Sequence, residues 1–226
     1  MTMAAVTAFD LDGTLLDGQS GWLIVRYLSK HDYISKKTTA LCAWWGVRYK
    51  LHLPLRQDEV REHIFKDLGR FGPEQVHDIM EAFHNEVIAP RYKKRGIQEL
   101  KSRIEAGEHV ILISATFDEL AQIARAYLGC EAALATRMEM TPDGRFTGRV
   151  LGETCEGGEK VLRINAWADS CFGKNAWSLV RAYGDHHSDI PMLESAKQAF
   201  AVDPGTMLKH EAAQRNWPVL EWRDDA

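Results

Sequence analysis

Four aspartates and one lysine are the residues of this sequence whose types and spacing suggest chemistry. Asp10 and Asp12 stand two residues apart in FDLDGTL, directly after one apolar run, and Asp185 and Asp189 stand a helical turn apart in AYGDHHSDIPML, after another. Carboxylates gathered at one spot repel: two like unit charges ~4 Å apart cost ~4 kcal/mol at an effective dielectric of ~20. A hard divalent cation that shares their oxygens removes that cost, so Asp10, Asp185 and Asp189 read as a metal-binding set. Lys160 follows Gly157 and Gly158 in the first turn of a helical pattern, where a cation opposes the helix dipole and gains from an anionic partner.

The elements that must position these residues alternate. Strand-like runs occur at 4–9, 109–113, 178–183, 198–202 and 218–220, and helical patterns at 95–106, 118–129, 158–169 and 205–216. Alternation of this kind predicts an α/β fold, a Rossmann-like parallel sheet with helices on both faces. The stretch 132–151, where ALATRMEM and RFTGRVL flank TPDG, reads as a hairpin. Between the first two strands lies helical pattern too long for one crossover. Residues 17–92 are therefore expected to form an inserted helical cap domain of about four helices, punctuated by Pro54, Gly69, Gly72, Pro73 and Pro90, with 1–16 and 93–226 forming the core domain.

In an open parallel sheet, ligands bind beyond the carboxyl ends of the strands, where strand order reverses. Asp10 to Thr14 follow the first strand, Ser114, Ala115 and Thr116 the second, and Gly184 and Asp185 a third, with Asp189 a turn later. All of these polar residues are expected at one edge.

Composition narrows the field. A chain of 226 residues that is 45% hydrophobic and 27% charged is an ordinary globular protein able to bury a core. A net charge of -4 argues against nucleic acid as a partner. The four cysteines, Cys42, Cys130, Cys155 and Cys171, show no zinc or disulfide spacing and fit a reducing cytoplasm. No run reaches the length of a membrane span, and the amino terminus lacks the basic region of a signal peptide, so a soluble intracellular protein without stable membrane insertion is expected. Competing motifs fail. A calcium loop starting at Asp10 would need Gly and Glu where Leu15 and Gly21 stand, and Gly152 to Gly157 lack the Gly-Lys pair of a P-loop.

DLDGTL matches the DxDGT signature of the haloacid dehalogenase superfamily of phosphohydrolases; Ser114 matches that family's second motif, Lys160 its third, and GDHHSD its GDxxxD fourth. Present in the family's order across nearly the whole chain, the four make the sequence resemble that superfamily. The helical insert, the CEGGEK stretch and the RNWPVLEW tail resemble its phosphoserine phosphatase-like branch.

The resemblance implies a small phosphorylated metabolite as substrate and Mg²⁺ as cofactor. It implies that Asp10 attacks phosphorus to form an aspartyl-phosphate, and that Asp12 protonates the leaving alcohol and later activates water. Asp10, the Asp12 backbone carbonyl and Asp185 would hold Mg²⁺, with Asp189 in a water-mediated or outer contact. Ser114, Ala115 and Lys160 would bind phosphoryl oxygens, assisted by backbone N–H groups near Gly13. The chemistry agrees with the residue types, since a phosphate monoester is itself dianionic and a carboxylate nucleophile reaches it only if cations offset the repulsion.

Each residue also has a plainer use. Asp12-Gly13 is a common turn pair, Ser114 a possible helix cap, and Lys160 a candidate for a solvated surface position. His186 and His187 fall within the fourth motif as ligands or as loop histidines near solvent. Trp44, Trp45, Arg48, Tyr49 and Lys50 form a basic-aromatic run that suits a lipid or aromatic substrate, or simply a cap helix packing its apolar face.

The cap is expected to choose the leaving group. Phosphoserine phosphatases carry a glutamate nine residues beyond the nucleophile to bind the substrate's amino group, whereas this chain has Gln19 there. A neutral amide does not pair with an ammonium as a carboxylate does, so a different small phosphomonoester is expected. Alternatives are a lipid phosphate of the phosphatidylglycerophosphate type, transfer to an acceptor other than water, and a non-catalytic phosphate- or metal-binding module. The last sits poorly with an intact Asp10/Asp12 pair, which such a module would be free to lose.

Overall fold

A computed structural model describes residues 3–50 and 57–223, without the side chains of 49, 50, 57 and 58. Its strands in chain order are β1 (Ala4–Phe9), β2 (His109–Phe117), β3 (Ala132–Thr136), β4 (Met138–Met140), β5 (Phe146–Val150), β6 (Trp177–Gly184), β7 (Gln198–Val202) and β8 (Val219–Leu220). Six of them form one sheet in the order β3-β2-β1-β6-β7-β8, every neighbouring pair parallel. Connections from β1 run outward through β2 to β3, and then return to β6 on its other side. Strand order therefore reverses between β1 and β6, the strands that end at Asp10 and Asp185.

Alternation along the strands builds two apolar layers. Val110 and Leu112 face α5 (Lys94–Glu105) and α6 (Asp118–Leu128), joining Phe9, Leu100, Ala124 and Tyr183. Ile111 and Ile113 face the opposite way. There they join Val6, Ala8 and Leu179 with residues of α7 (Gly158–Phe172), α8 (Ile190–Ser195) and α9 (Thr206–Arg215). Helices thus cover both faces, as the unbroken apolar strands require.

The long insert contains α1 (Ser20–Lys30), α2 (Lys36–Lys50), α3 (Gln57–Leu68) and α4 (Pro73–Phe83), followed by a π turn at His84–Ile88 and a 3-10 turn at Ala89–Arg91. These helices share a third apolar cluster that includes Ile24, Leu28, Phe65, Met80 and Phe83 and extends to Phe117 and Phe146. Phe65 meets both of the latter edge-on, with ring centroids 4.4 and 4.7 Å apart. Pro54 lies outside the described residues. Among those described, no helix is long and apolar enough to cross a membrane.

Two expectations need correction. The hairpin is shorter than 132–151: Ala132–Thr136 pairs in parallel with β2 as the edge strand of the main sheet, and only β4 and β5 pair antiparallel across the TPDG turn. Ala133 and Ala135 are drawn into the layer beneath α6, which overrides the continuity of the run. As a result β6, which ends at Asp185, is the fourth parallel strand in the chain and not the third. Strand β2 also continues to Phe117, with a shift of register beyond Ser114, so Ser114 to Thr116 lie within its irregular end.

A buried ion pair ties the carboxyl edge together. The Lys93 ammonium donates to the Asp203 carboxylate at 2.7 Å and to the Gly13 carbonyl, and Asp203 Oδ1 accepts from the Trp222 N–H at 3.1 Å. Both charged side chains are under a tenth exposed, 2% and 7%. Asp203→Ala strands the ammonium and is expected to cost ~3–5 kcal/mol in unfolding free energy, read by urea denaturation.

Candidate active site

The loop after β1 is shaped around its neighbours. Leu15 and Leu16 donate to the Leu11 carbonyl at 3.0 and 2.9 Å, and Gly13 donates to the carbonyls of Leu16 and Gly18 at 3.0 Å each. Gly13 has φ +78°, and a Cβ there would lie 2.1 Å from Asp185 Oδ2. Only glycine allows both the left-handed turn and the close approach of that carboxylate.

Lys160 projects from the first turn of α7 into the cluster. Its ammonium donates to Asp10 Oδ1 and Asp189 Oδ1, both at 2.6 Å, and all three groups are nearly inaccessible to solvent. Asp189 also accepts from the His186 N–H at 3.2 Å, and Asp185 Oδ1 accepts from the Thr14 hydroxyl at 3.3 Å. One carboxylate oxygen from each of Asp10, Asp185 and Asp189 lies within 4.8 Å of the others. Three carboxylates against one ammonium leave two formal negative charges uncompensated, as many as a divalent cation would neutralise. The donor set is all oxygen and compact, and so fits Mg²⁺.

The protonation behaviour follows from that imbalance. Burial pushes the Asp10 carboxyl well above its usual range, Lys160 pulls it down, and Asp189 and Asp185 push it up again. Asp185 rises to about 7, first through burial and then through Asp189. Burial alone would lower Lys160, yet Asp10 and Asp189 outweigh it and hold the ammonium above the ordinary lysine range.

Asp12 stands apart from the three-carboxylate cluster. Its Oδ1 accepts from the Ser20 N–H at 2.8 Å and its Oδ2 from the Ser20 hydroxyl at 2.7 Å, and that hydroxyl lies 2.7 Å from Thr116 Oγ1. Burial raises its pKa, and the Ser20 donors offset part of the rise.

A cavity of about 400 Å³ opens over these groups, between the sheet edge and α1, α2 and α3. Asp10, Asp12, Gln19, Ser114, Ala115, Lys160, Asp185 and Asp189 all line it. The Ser114 hydroxyl accepts from the Thr116 N–H at 3.1 Å, and the Ala115 carbonyl accepts from Thr136 at 2.9 Å and Arg61 at 3.2 Å. Gly13 is placed behind Asp185 instead of on the wall. His186 lines the cavity, its ring made less basic by burial and then by His187, while His187 does not line it; both residues are exposed to solvent. The basic-aromatic run divides, with Trp45 on the cavity wall and Trp44 on the outside; the side chains of Tyr49 and Lys50 lie outside the described residues. Burial pushes Cys42 and Cys155 up to about 11 and Cys130 to about 12, consistent with inert thiols.

Ser20, Trp22 and Arg61 are not singled out by the sequence, yet they line the cavity, as does Thr116, which was expected at this edge beside Ser114 and Ala115. Ser20 had one usable signal, a serine at the start of a helical pattern. Trp22 and Arg61 come from separate helices and had none.

A doubly wound sheet with a cation-competent carboxylate cluster where its strand order reverses places the protein among the α/β enzymes that bind ligand at that edge. The sequence profile of the haloacid dehalogenase-like hydrolases matches residues 7–194. The chain is 30% identical over 227 residues to a phosphoserine phosphatase of Mycobacterium tuberculosis (strain ATCC 25618 / H37Rv), covering 98% of this chain and 72% of that one. It is 26% identical over 222 residues to a histidinol-phosphatase of Neisseria meningitidis serogroup C (strain 8013), covering 98% and 100%. A crystal structure from Bordetella pertussis Tohama I, of unknown function, superposes with a TM-score of 0.88 at 25% identity over 98% of this chain and 100% of that one. Substrate-bound phosphoserine phosphatase shares the fold with a TM-score of 0.65 at 22% identity, over 99% and 96%. The chain belongs to the haloacid dehalogenase-like hydrolase family.

The carboxylate cluster has a signature in stability. Burial and Asp189 push the Asp185 carboxyl up to about 7 from an ordinary 3.8, so between those values this group keeps a proton in the folded chain that it loses in the unfolded one. Without metal, the stability this group contributes is lost as pH rises from about 4 to about 7, so the wild-type melting temperature is expected to fall relative to that of Asp185→Asn. Mg²⁺ should raise it most at the upper end of that window, and Asp185→Asn should flatten that rise. Melting curves with Mg²⁺ and with chelator check this; a wild-type protein that gains stability relative to Asp185→Asn through the window without metal, or a variant that keeps the full Mg²⁺ response, contradicts the arrangement.

Proposed function

We propose that this chain is a Mg²⁺-dependent phosphomonoesterase that works through an aspartyl-phosphate on a small organic phosphate. The supporting observation is the pairing of two differently held aspartates at one cavity: Asp10 in a charged cluster with Lys160, Asp12 in a neutral hydroxyl setting with Ser20. Two carboxyl groups in environments of opposite character suit the two roles the reaction needs.

Lys160 anchors one Asp10 oxygen, which leaves the other to attack phosphorus in line. As the new O–P bond forms, the bond to the substrate alcohol breaks, and Asp12, whose burial favours its carrying a proton, delivers that proton to the leaving oxygen. Asp12, now a carboxylate, then takes a proton from a water molecule that attacks the aspartyl-phosphate. The Asp10–P bond breaks, inorganic phosphate leaves, and both aspartates return to their starting states. Ser114 and Lys160 hold phosphoryl oxygens during both displacements, aided by backbone N–H groups of the loop. Asp10, Asp185 and the Asp12 carbonyl would hold Mg²⁺, with Asp189 in a water-mediated or outer contact, and the ion would supply positive charge to offset the dianionic substrate.

Residues 17–92 serve as the cap domain in this reading, closing over 1–16 and 93–226. The relatives named as phosphoserine phosphatase and histidinol-phosphatase support a small phosphorylated metabolite. Gln19 on the cavity wall, where phosphoserine phosphatases carry glutamate, argues against phosphoserine itself.

Release of p-nitrophenol from its phosphate ester tests the reaction. Mg²⁺ should be required, chelator should abolish turnover, and Asp10→Asn should lower kcat by at least about a thousandfold. Equal rates in all three arms would end the hydrolase reading.

A further inference from the structure

The wall of the cavity opposite the carboxylates has a chemistry that the reaction leaves unused. Trp22 from α1 and Trp45 from α2 meet at a corner, ring centroids 5.6 Å apart and planes inclined by 50°, and Val25, Val60 and Ile64 continue the same wall. Trp22 is 41% exposed, a large ring left incompletely buried in a cleft.

The position of Trp22 is supported by a residue that helix formation alone disfavours. Gly46 stands inside α2, where glycine is less favourable than alanine. A Cβ at Gly46 would lie 2.6 Å from Trp22 Cη2, closer than the ring tolerates. α2 therefore gives up helix stability at a place where a side chain would press on the Trp22 ring.

Among the described lining residues from the inserted helices, the charged one is Arg61. Its guanidinium reaches the Ala115 carbonyl at 3.2 Å and Thr154 Oγ1 at 3.1 Å. Among the described residues these helices bring no carboxylate to the cavity, where an ammonium would need one, and their wall presents ring and aliphatic surface; Glu156, which also lines the cavity, comes from the loop before α7. Flat apolar surface of this kind rewards an aromatic ring, which gains from its burial and from ring–ring geometry.

Resting on the phosphomonoesterase reading above, we propose that the substrate's alcohol carries an aromatic or heteroaromatic ring, seated against Trp22 and Trp45, with Gly46 keeping Trp22 in place. The wall then selects the leaving group, and the carboxylate edge performs the reaction.

Three primary-alcohol monoesters of similar leaving-group strength test it: 2-phenylethyl, hexyl and ethyl phosphate. With Mg²⁺, kcat/KM for the phenylethyl ester should exceed that for each of the others by at least about tenfold, carried mainly by KM. Trp22→Ala and Gly46→Ala should each collapse the phenylethyl-to-ethyl ratio, and Trp22→Phe should restore most of it. Circular dichroism of each variant separates this from loss of fold. Calorimetric titration of 2-phenylethylphosphonate and ethylphosphonate into Asp10→Asn with Mg²⁺ reads the pocket without turnover. If no ester is hydrolysed but the aromatic phosphonate binds at least about tenfold tighter, the reaction assignment fails while the aromatic pocket stands. Equal binding of the two phosphonates, binding of neither, a hexyl ester that matches the phenylethyl ester, or a ratio untouched by Trp22→Ala and Gly46→Ala overturns the proposal.

Discussion

Lys160 holds its ammonium 2.6 Å from both Asp10 and Asp189, and the rest of the site depends on that double contact. All three side chains are buried, and none would be tolerated there alone, since an unpaired buried charge costs several kcal/mol. The lysine also sits in the first turn of α7, the end of a helix that disfavours a cation. Only the carboxylates offset that placement. Because they come from the end of β1 and the turn after β6, the contact fixes α7 against the centre of the sheet. It also leaves the charge incomplete: one ammonium balances one of three carboxylates, so the preorganised cluster keeps a formal negative charge of the kind a metal ion offsets.

The sheet explains why such a receptor can exist. β1 and β6 are neighbours in space but separated by well over a hundred residues in the chain, and strand order reverses between them. Helices follow their strands on opposite sides of that boundary, so the backbone diverges and leaves a crevice at the carboxyl edge. Gly13 then lets the loop after β1 turn back close enough for Asp185 to pack against it. Lys93 fixes the same loop from below through the Gly13 carbonyl and anchors it to Asp203.

Much of this was legible in the residues. Strands buried on both faces write themselves as unbroken apolar runs, and the polar residues at their ends mark the crevice, which is why the sequence alone places Asp10, Ser114, Asp185 and Asp189 at one edge. Legibility ended where tertiary contacts override a local pattern. The run from Ala132 is as compatible with a hairpin arm as with a sheet edge, and only the layer beneath α6 decides between them. The Trp22–Trp45 corner was hidden for a different reason, since it joins two helices whose relative placement no local spacing records. Lys160 was visible as a cation poorly placed for its helix, but the identity of its partners required the fold.

Ser20 shows how the inserted helices and the core chemistry are mechanically joined. It is the first residue of α1, and its N–H is one of the donors that a helix start leaves without an intrahelical acceptor. The preceding residue, Gln19, makes no side-chain capping bond; the Asp12 carboxylate accepts from the Ser20 N–H and hydroxyl instead. The carboxylate thus caps the helix, and the helix dipole favours its charged form while burial favours its neutral form. Loss of the Ser20 donors would remove what offsets burial and raise the proton affinity of Asp12 further. The start of α1 and the Asp12 carboxyl are therefore a single unit, and any motion that carries α1 over the cavity also carries the donors that hold Asp12.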